Sequence, residues 1–189
     1  MKNIVKLGIT LFIICAVAAL ALGITNDVTA PIIEERNIQA NNESRKIVLE
    51  SAKEFKLIDN LKSELVEEVY EGSNGSDIVG YTMKTKPKGY GGEMEVIVGI
   101  SIDGKITGVN IGTNSETPGL GSKASEPEFK GQYNDKSTDN QINVVKGKAS
   151  SESDIVAISG ATISSKAVTS GVNAAIDLFN EELNNKEGK

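Results

Sequence analysis

The chain opens on an uninterrupted apolar run. Residues 7–24 carry no charge, Lys2 and Lys6 precede them, and Asn26 and Asp27 follow. A hydrocarbon core of ~30 Å needs roughly 20 apolar residues in a helix, so residues 1–24 read as a single transmembrane anchor. Positive charge stays in the cytoplasm. The pattern therefore predicts a cytoplasmic N-terminus and an extracytoplasmic domain on the cell membrane. A cleaved signal peptide is the rival reading, because Ala19-Leu20-Ala21 offers a small-residue cleavage pattern. Both readings export the rest of the chain and differ only in whether it stays tethered. Cys15, inside the run, reads as a lipid-facing or packing residue.

The pattern then thins. Thr29 is placed to cap a helix with Pro31 in its first turn. Sparse apolar positions (Ile38, Ile47, Val48, Leu49, Ala52, Phe55) make residues 25–62 a helical stalk, mostly solvated in its first half, with packing expected from about Arg45. Residues 63–184 carry the folded domain, and 185–189 are a tail. Leu65, Val66, Val69 and Tyr70 lead to a turn at Gly72-Ser73-Asn74-Gly75-Ser76. Ile78, Val79, Tyr81 and Met83 follow, then the break at Pro87-Lys88-Gly89 and an apolar run over 94–100. Asp103-Gly104 is a hairpin signal between Ile102 and Ile106. These runs predict an antiparallel meander of about four strands. Residues 115–149 show little periodicity, as functional or disordered loops do. A short apolar strand over 155–158 follows. Val168, Val172, Ile176, Phe179 and Leu183 then recur at helical spacing. The fold class is α+β: an antiparallel sheet flanked by helices, behind one transmembrane helix.

Composition narrows the chemistry. The chain has 0 His and 1 Cys, which removes Ser-His-Asp and Cys-His catalysis, His-ligated zinc or haem, internal disulfides and iron–sulfur clusters held within the chain. Redox chemistry would have to come from a bound organic cofactor. The net charge of −6, with lysines and arginines scattered, disfavours nucleic acid as a partner. The span holds no ionisable residue, so this chain is not expected to conduct an ion itself.

The most informative stretch joins the short strand to the last helix through Ser159-Gly160-Ala161-Thr162-Ile163-Ser164-Ser165-Lys166. Small residues let another group approach the backbone. Ser164 or Ser165 is placed to cap the helix. Unpaired N–H groups and the positive helix end then face the turn, as at an anion site, with Lys166 adding a cation. Two readings stay open on these residues alone: a phosphate-proximal turn, or an ordinary capped helix. Gly119-Leu120-Gly121-Ser122-Lys123-Ala124 also fits a dinucleotide-type glycine pattern, but no apolar strand leads into it and Pro127 lies just beyond, so that reading is rejected.

Ser159-Gly160-Ala161-Thr162 resembles the SGAT flavinylation motif of FMN-binding domains in bacterial respiratory complexes. Those include the C subunit of the sodium-translocating NADH:quinone reductase and the G subunit of the Rnf complex. Glu116-Thr117-Pro118-Gly119-Leu120-Gly121 resembles the same family's ETPGLG loop, and Gly89-Tyr90-Gly91-Gly92 falls in the family's order. The resemblance spans about residues 80–183. With one short chain, one span and one motif, it is closer to the Rnf protein. It implies FMN held covalently, its phosphate esterified to Thr162, and a flavin transferase using FAD and magnesium as the installer. It also implies a cofactor site made by Ser159, Gly160, Ala161, Thr162, Ser164 and Ser165 on one side. Glu116, Thr117, Gly119, Leu120 and Gly121 would form the other, with Leu120 against the ring and Thr117 and loop N–H groups bonding to it. Glu116 is either a ring-side acceptor or a solvated carboxylate. Tyr90, Phe129 and Tyr133 are either stacking groups or core. The family's preferred acidic residue six positions before the threonine is Val156 here, with Asp154 two residues earlier.

The function so implied is electron transfer within a membrane-bound, ion-translocating ferredoxin:NAD-type complex, with the other subunits and the membrane as partners. No side chain acts as a catalytic acid or base, and no metal site is expected. The alternatives are a tethered non-redox binding or assembly module, a C subunit of the quinone-reductase type, and a free-standing extracytoplasmic flavoprotein.

Overall fold

A computed structural model describes residues 2–184, so the expected tail at 185–189 lies outside the described residues. The chain divides into two units, Met1–Ala40 and Asn41–Lys189.

Helix α1, Lys2–Val48, passes through both segments separately assigned from the sequence. Its apolar N-terminal part is long and apolar enough to cross a membrane, and none of that stretch is buried in the protein. The cap expected at Thr29 is absent. The Thr29 hydroxyl instead donates to the Thr25 carbonyl at 2.9 Å, one turn back inside a continuing helix. Pro31 lies within the helix rather than at its start. It lacks the N–H that would donate to the residue four positions back, and the helix continues past it.

In the second unit, the antiparallel sheet has the strands β1 (Glu54–Leu57), β2 (Val66–Asn74), β3 (Asp77–Thr85), β4 (Val96–Ser101) and β5 (Ile106–Ile111), in sequence order. The sheet has five strands rather than four because residues 54–57, inside the stretch expected to be helical, pair with β2 at the edge. The strand Glu54-Phe55-Lys56-Leu57 alternates polar and apolar residues, but over four mostly exposed positions that is too short a signal to reveal it. Gly75 and Gly104 turn the two hairpins with φ of 70° and 74°, the left-handed region that glycine enters without cost.

Strand β4 is buried along nearly its whole length because both faces are covered. Val96, Val98 and Ile100 join the main core under helix α3 (Thr162–Leu178), with Val168, Val172 and Ile176. On the opposite face the end of α1 lies against Gly99 and Gly108. A β-carbon on Gly99 would stand 2.2 Å from the Val48 carbonyl oxygen. Arg45 fixes the same helix end, pairing with Glu68 at 2.8 Å and lying over the Tyr70 ring at 3.6 Å.

Residues 115–149 are ordered but built from pieces too short to show a period. They are a 3₁₀ turn at Gly121–Ser125, the one-turn helix α2 (Pro127–Lys130), a second 3₁₀ turn at Gly131–Tyr133 and strand β6 (Asn143–Val145). Ala124, Phe129, Tyr133 and Ile142 pin them to the core. Strand β7 (Asp154–Val156) pairs parallel with β6, Val145 opposite Val156. The Ala157 N–H extends this pairing to the Val145 carbonyl at 2.9 Å.

Candidate functional site

Strand β7 ends where its backbone must turn sharply into α3. Gly160 takes a φ of 77° there, and the Ala161 N–H closes the turn on the Ile158 carbonyl at 2.9 Å. Ser165 locks it. Its hydroxyl accepts the Ile158 N–H at 3.0 Å and donates to the Ala161 carbonyl at 2.9 Å. Helix α3 begins at Thr162 rather than after Ser164 or Ser165, so neither serine is the cap. The residue in the cap position is Ala161, and no side chain caps the helix. The first-turn N–H groups of a 17-residue helix are thus left for another acceptor, at the positive end of its dipole.

A cleft of about 830 Å³ opens over this turn, within the size range of small-molecule sites. Its walls bring together four stretches of the sequence: Tyr90, the Glu116-Thr117 and Leu120 side, Lys146-Gly147, and the continuous run 157–164. Thr162 and Ser159 line it, and neither hydroxyl bonds to a described residue. The Ser164 hydroxyl, by contrast, is spent on Glu116, donating to Oε2 at 2.6 Å.

Glu116 lines the cleft but is not a solvated carboxylate. It is 7 % exposed, and its second oxygen accepts the Gly91 N–H at 3.1 Å. Glycines make the room. A β-carbon at Gly121 would sit 2.1 Å from Glu116 Oε2 and 2.6 Å from Ser164 Oγ, and one at Gly89 would sit 2.1 Å from Glu116 Oε1. Gly121 therefore admits Glu116 and Ser164 rather than a ligand. Gly119, with a φ of 76°, serves the loop's own turn.

The loop N–H groups expected to reach a ring are partly consumed. Gly119 N–H bonds to Ser122 Oγ at 2.9 Å and Leu120 N–H to the Thr117 carbonyl at 3.1 Å. What the loop presents to the cleft is the Leu120 side chain, 45 % exposed, and Thr117. Tyr90 stands at the rim, 70 % exposed, whereas Phe129 and Tyr133 are core. The Tyr133 hydroxyl bonds to Thr169 at 2.7 Å, and burial pushes its pKa far above the usual phenol value.

Lys146, Gly147, Ala157, Ile158 and Ile163 line the cleft without having been expected among the site residues. Ile163 projects from the helix start, and Lys146 enters from the end of β6. Only the parallel pairing of β6 with β7 brings position 146 to the turn, and no local pattern encodes that pairing. Lys166, the cation expected from the sequence, is exposed and does not line the cleft.

The departure at Val156 has a structural setting. Both backbone groups of Val156 pair with the Gln132 side-chain amide, at 2.8 and 3.3 Å. Asp154 is occupied elsewhere. One of its oxygens accepts from Ser150 N–H, Ser150 Oγ and Ser151 N–H within 2.9 Å. Those bonds hold its carboxyl below the usual carboxylate range.

Residues 89–177 match the FMN-binding domain family. The chain is 47 % identical over 192 residues to the G subunit of the Na(+)-translocating ferredoxin:NAD(+) oxidoreductase complex of Acetobacterium woodii, covering 94 % of this chain and 92 % of that one. It is 34 % identical to the G subunit of the proton-translocating ferredoxin:NAD(+) oxidoreductase complex of Clostridium ljungdahlii, covering 88 % and 86 %. Among solved structures, the C subunit of the Na(+)-translocating NADH-quinone reductase from Parabacteroides distasonis superposes with a TM-score of 0.61. Its identity is 19 %, with 79 % of this chain and 94 % of that chain covered, a likeness of fold.

Proposed function

Because the chain belongs to the G-subunit family of the ion-translocating ferredoxin:NAD(+) oxidoreductase (Rnf) complexes, we propose that it is an electron-transfer subunit of such a complex, carrying FMN covalently on Thr162. The cofactor supplies the redox chemistry by accepting and passing on electrons. The protein supplies attachment, orientation and a fixed electrostatic setting.

One observation carries the covalent assignment. Of the hydroxyls on the turn and first helical turn, Ser164 and Ser165 are bound within the protein; Thr162 and Ser159 both face the cleft unengaged, and of these two only Thr162 stands on the uncapped start of α3. A phosphate esterified there would meet the first-turn N–H groups of α3, as anions do at helix N-termini. Leu120 and Tyr90 offer the apolar and aromatic surface that a flat ring needs. The residues present fit the cofactor.

A tether also suits the proposed location. With Lys2 and Lys6 on the cytoplasmic side of α1, the cleft lies outside the membrane, where a dissociable cofactor would be lost. A flavin transferase and the other subunits of the complex are the partners this reading requires.

The test is a denaturing gel of the membrane protein, produced with a flavin transferase and viewed under blue light. A fluorescent band near 20.0 kDa that vanishes in Thr162→Ala is expected. A dark band for the unmutated protein contradicts the proposal and favours the non-redox module, for which the Val156 departure speaks.

A further inference from the structure

We propose that Lys146 is a positioning and potential-setting residue of the cleft. On this inference its ammonium group faces the negative charge that a flavin phosphate or reduced flavin ring brings there. The inference rests on the cleft being a flavin site.

Its basis is the topology of the β6–β7 pair. Val145 stands opposite Val156, and the Ala157 N–H bonds to the Val145 carbonyl at 2.9 Å. Position 146 is thereby set beside the strand that runs into the Thr162 turn, and Lys146 lines the same cleft. Lys146 is the one cationic side chain on the cleft wall among the described residues. The one carboxylate on that wall, Glu116, already accepts hydrogen bonds from Gly91 and Ser164. Lys146 forms no ion pair with a described residue, so its charge is left for a ligand. Gly147, with a φ of 100°, follows at once and lines the same cleft.

A fixed positive charge stabilises the more negative form of whatever sits near it. Adding electrons makes a flavin more negative, so Lys146 favours the reduced state and raises the midpoint potential. The side chain is exposed, so salt screens part of the effect.

The experiment compares the flavinylated unmutated protein with Lys146→Gln and Lys146→Arg by spectroelectrochemical titration at low and high salt. Gel fluorescence is read on the same samples. Lys146→Gln is expected to disfavour the reduced form by roughly tenfold, a fall of about 30 mV for a two-electron couple. Lys146→Arg keeps the potential, and the gap narrows in high salt. Loss of the fluorescent band in Lys146→Gln but not in Lys146→Arg also supports the role, since charge is then needed to seat the anion. Equal potentials in all three proteins, or equal losses of flavin in both variants, overturn it and leave Lys146 a solvated lysine. A dark band in the unmutated protein refutes the flavin assignment itself, so the two failures are distinguishable. Titrating the Thr162→Ala protein, with and without Lys146→Gln, against riboflavin and against FMN separates the sources. A Lys146→Gln penalty confined to FMN assigns the charge to the phosphate, and a penalty on both assigns it to the ring. No Lys146→Gln penalty on either, including no binding of either, overturns the role in seating the ligand.

Discussion

A methyl group at position 121 has nowhere to go. Its carbon would lie within 2.1 Å of a Glu116 oxygen that is already hydrogen-bonded to Ser164. Relieving that overlap displaces the carboxylate from Gly91 and Ser164, two groups that tie three cleft segments together. Overpacking of this kind costs about 1–3 kcal/mol, so Gly121→Ala is expected to lower the midpoint of chemical unfolding, as followed by circular dichroism. An unchanged midpoint would mean that Glu116 does not brace the cleft. The same cluster shows what sequence resolves at this scale. Ser164 and Ser165 read as helix caps in the sequence but lie inside α3, and a side chain's partner is decided by what packs over it: for Ser164, Glu116 arrives from 48 positions away. Thr162 is recognisable from the motif. That its hydroxyl stays unengaged, as that of Ser159 does and those of Ser164 and Ser165 do not, is visible only after folding.

Elements fared according to how local their causes are. The β2–β3 and β4–β5 hairpins were legible because alternation and turn glycines lie within a few residues of each other. Edge strand β1 and the β6–β7 pair were not, because short exposed strands are defined by their partners. The loop before β7 is held, by contrast, by local electrostatics, between residues three and four apart. Asp154 holds Ser150 and Ser151 through one oxygen, which depresses its pKa in the folded protein. A depressed carboxylate pKa contributes stability above the unfolded value of ~3.9, and that contribution is lost as pH falls through the folded value. Asp154→Asn is therefore expected to be less stable than the unmutated protein at neutral pH. The two unfolding midpoints should converge as the pH drops below the ordinary carboxylate range. A gap that persists in acid would assign the difference to shape rather than charge.

At the scale of the whole molecule, the apolar start, the α+β domain and a chain poor in titrating redox side chains all point to a membrane-associated protein that relies on a cofactor. The boundary between anchor and stalk expected at residue 24 is not marked by a break, since α1 runs on through it to Val48. The proposed orientation is directly testable because Cys15 is the sole cysteine. In a Cys15→Ala background, a cysteine at exposed Ser125 (Ser125→Cys) is expected to react with a membrane-impermeant maleimide in intact cells. Labelling only after lysis would place the domain in the cytoplasm and leave the export argument without support.

The central claim concerns one side-chain oxygen, and mass spectrometry of the peptide containing Thr162 tests it most directly. In protein purified from membranes that also hold a flavin transferase, fragmentation should localise an FMN phosphoester to Thr162, with Ser159, Ser164 and Ser165 unmodified. An unmodified Thr162 in that material, or the flavin on one of those serines, would contradict the account.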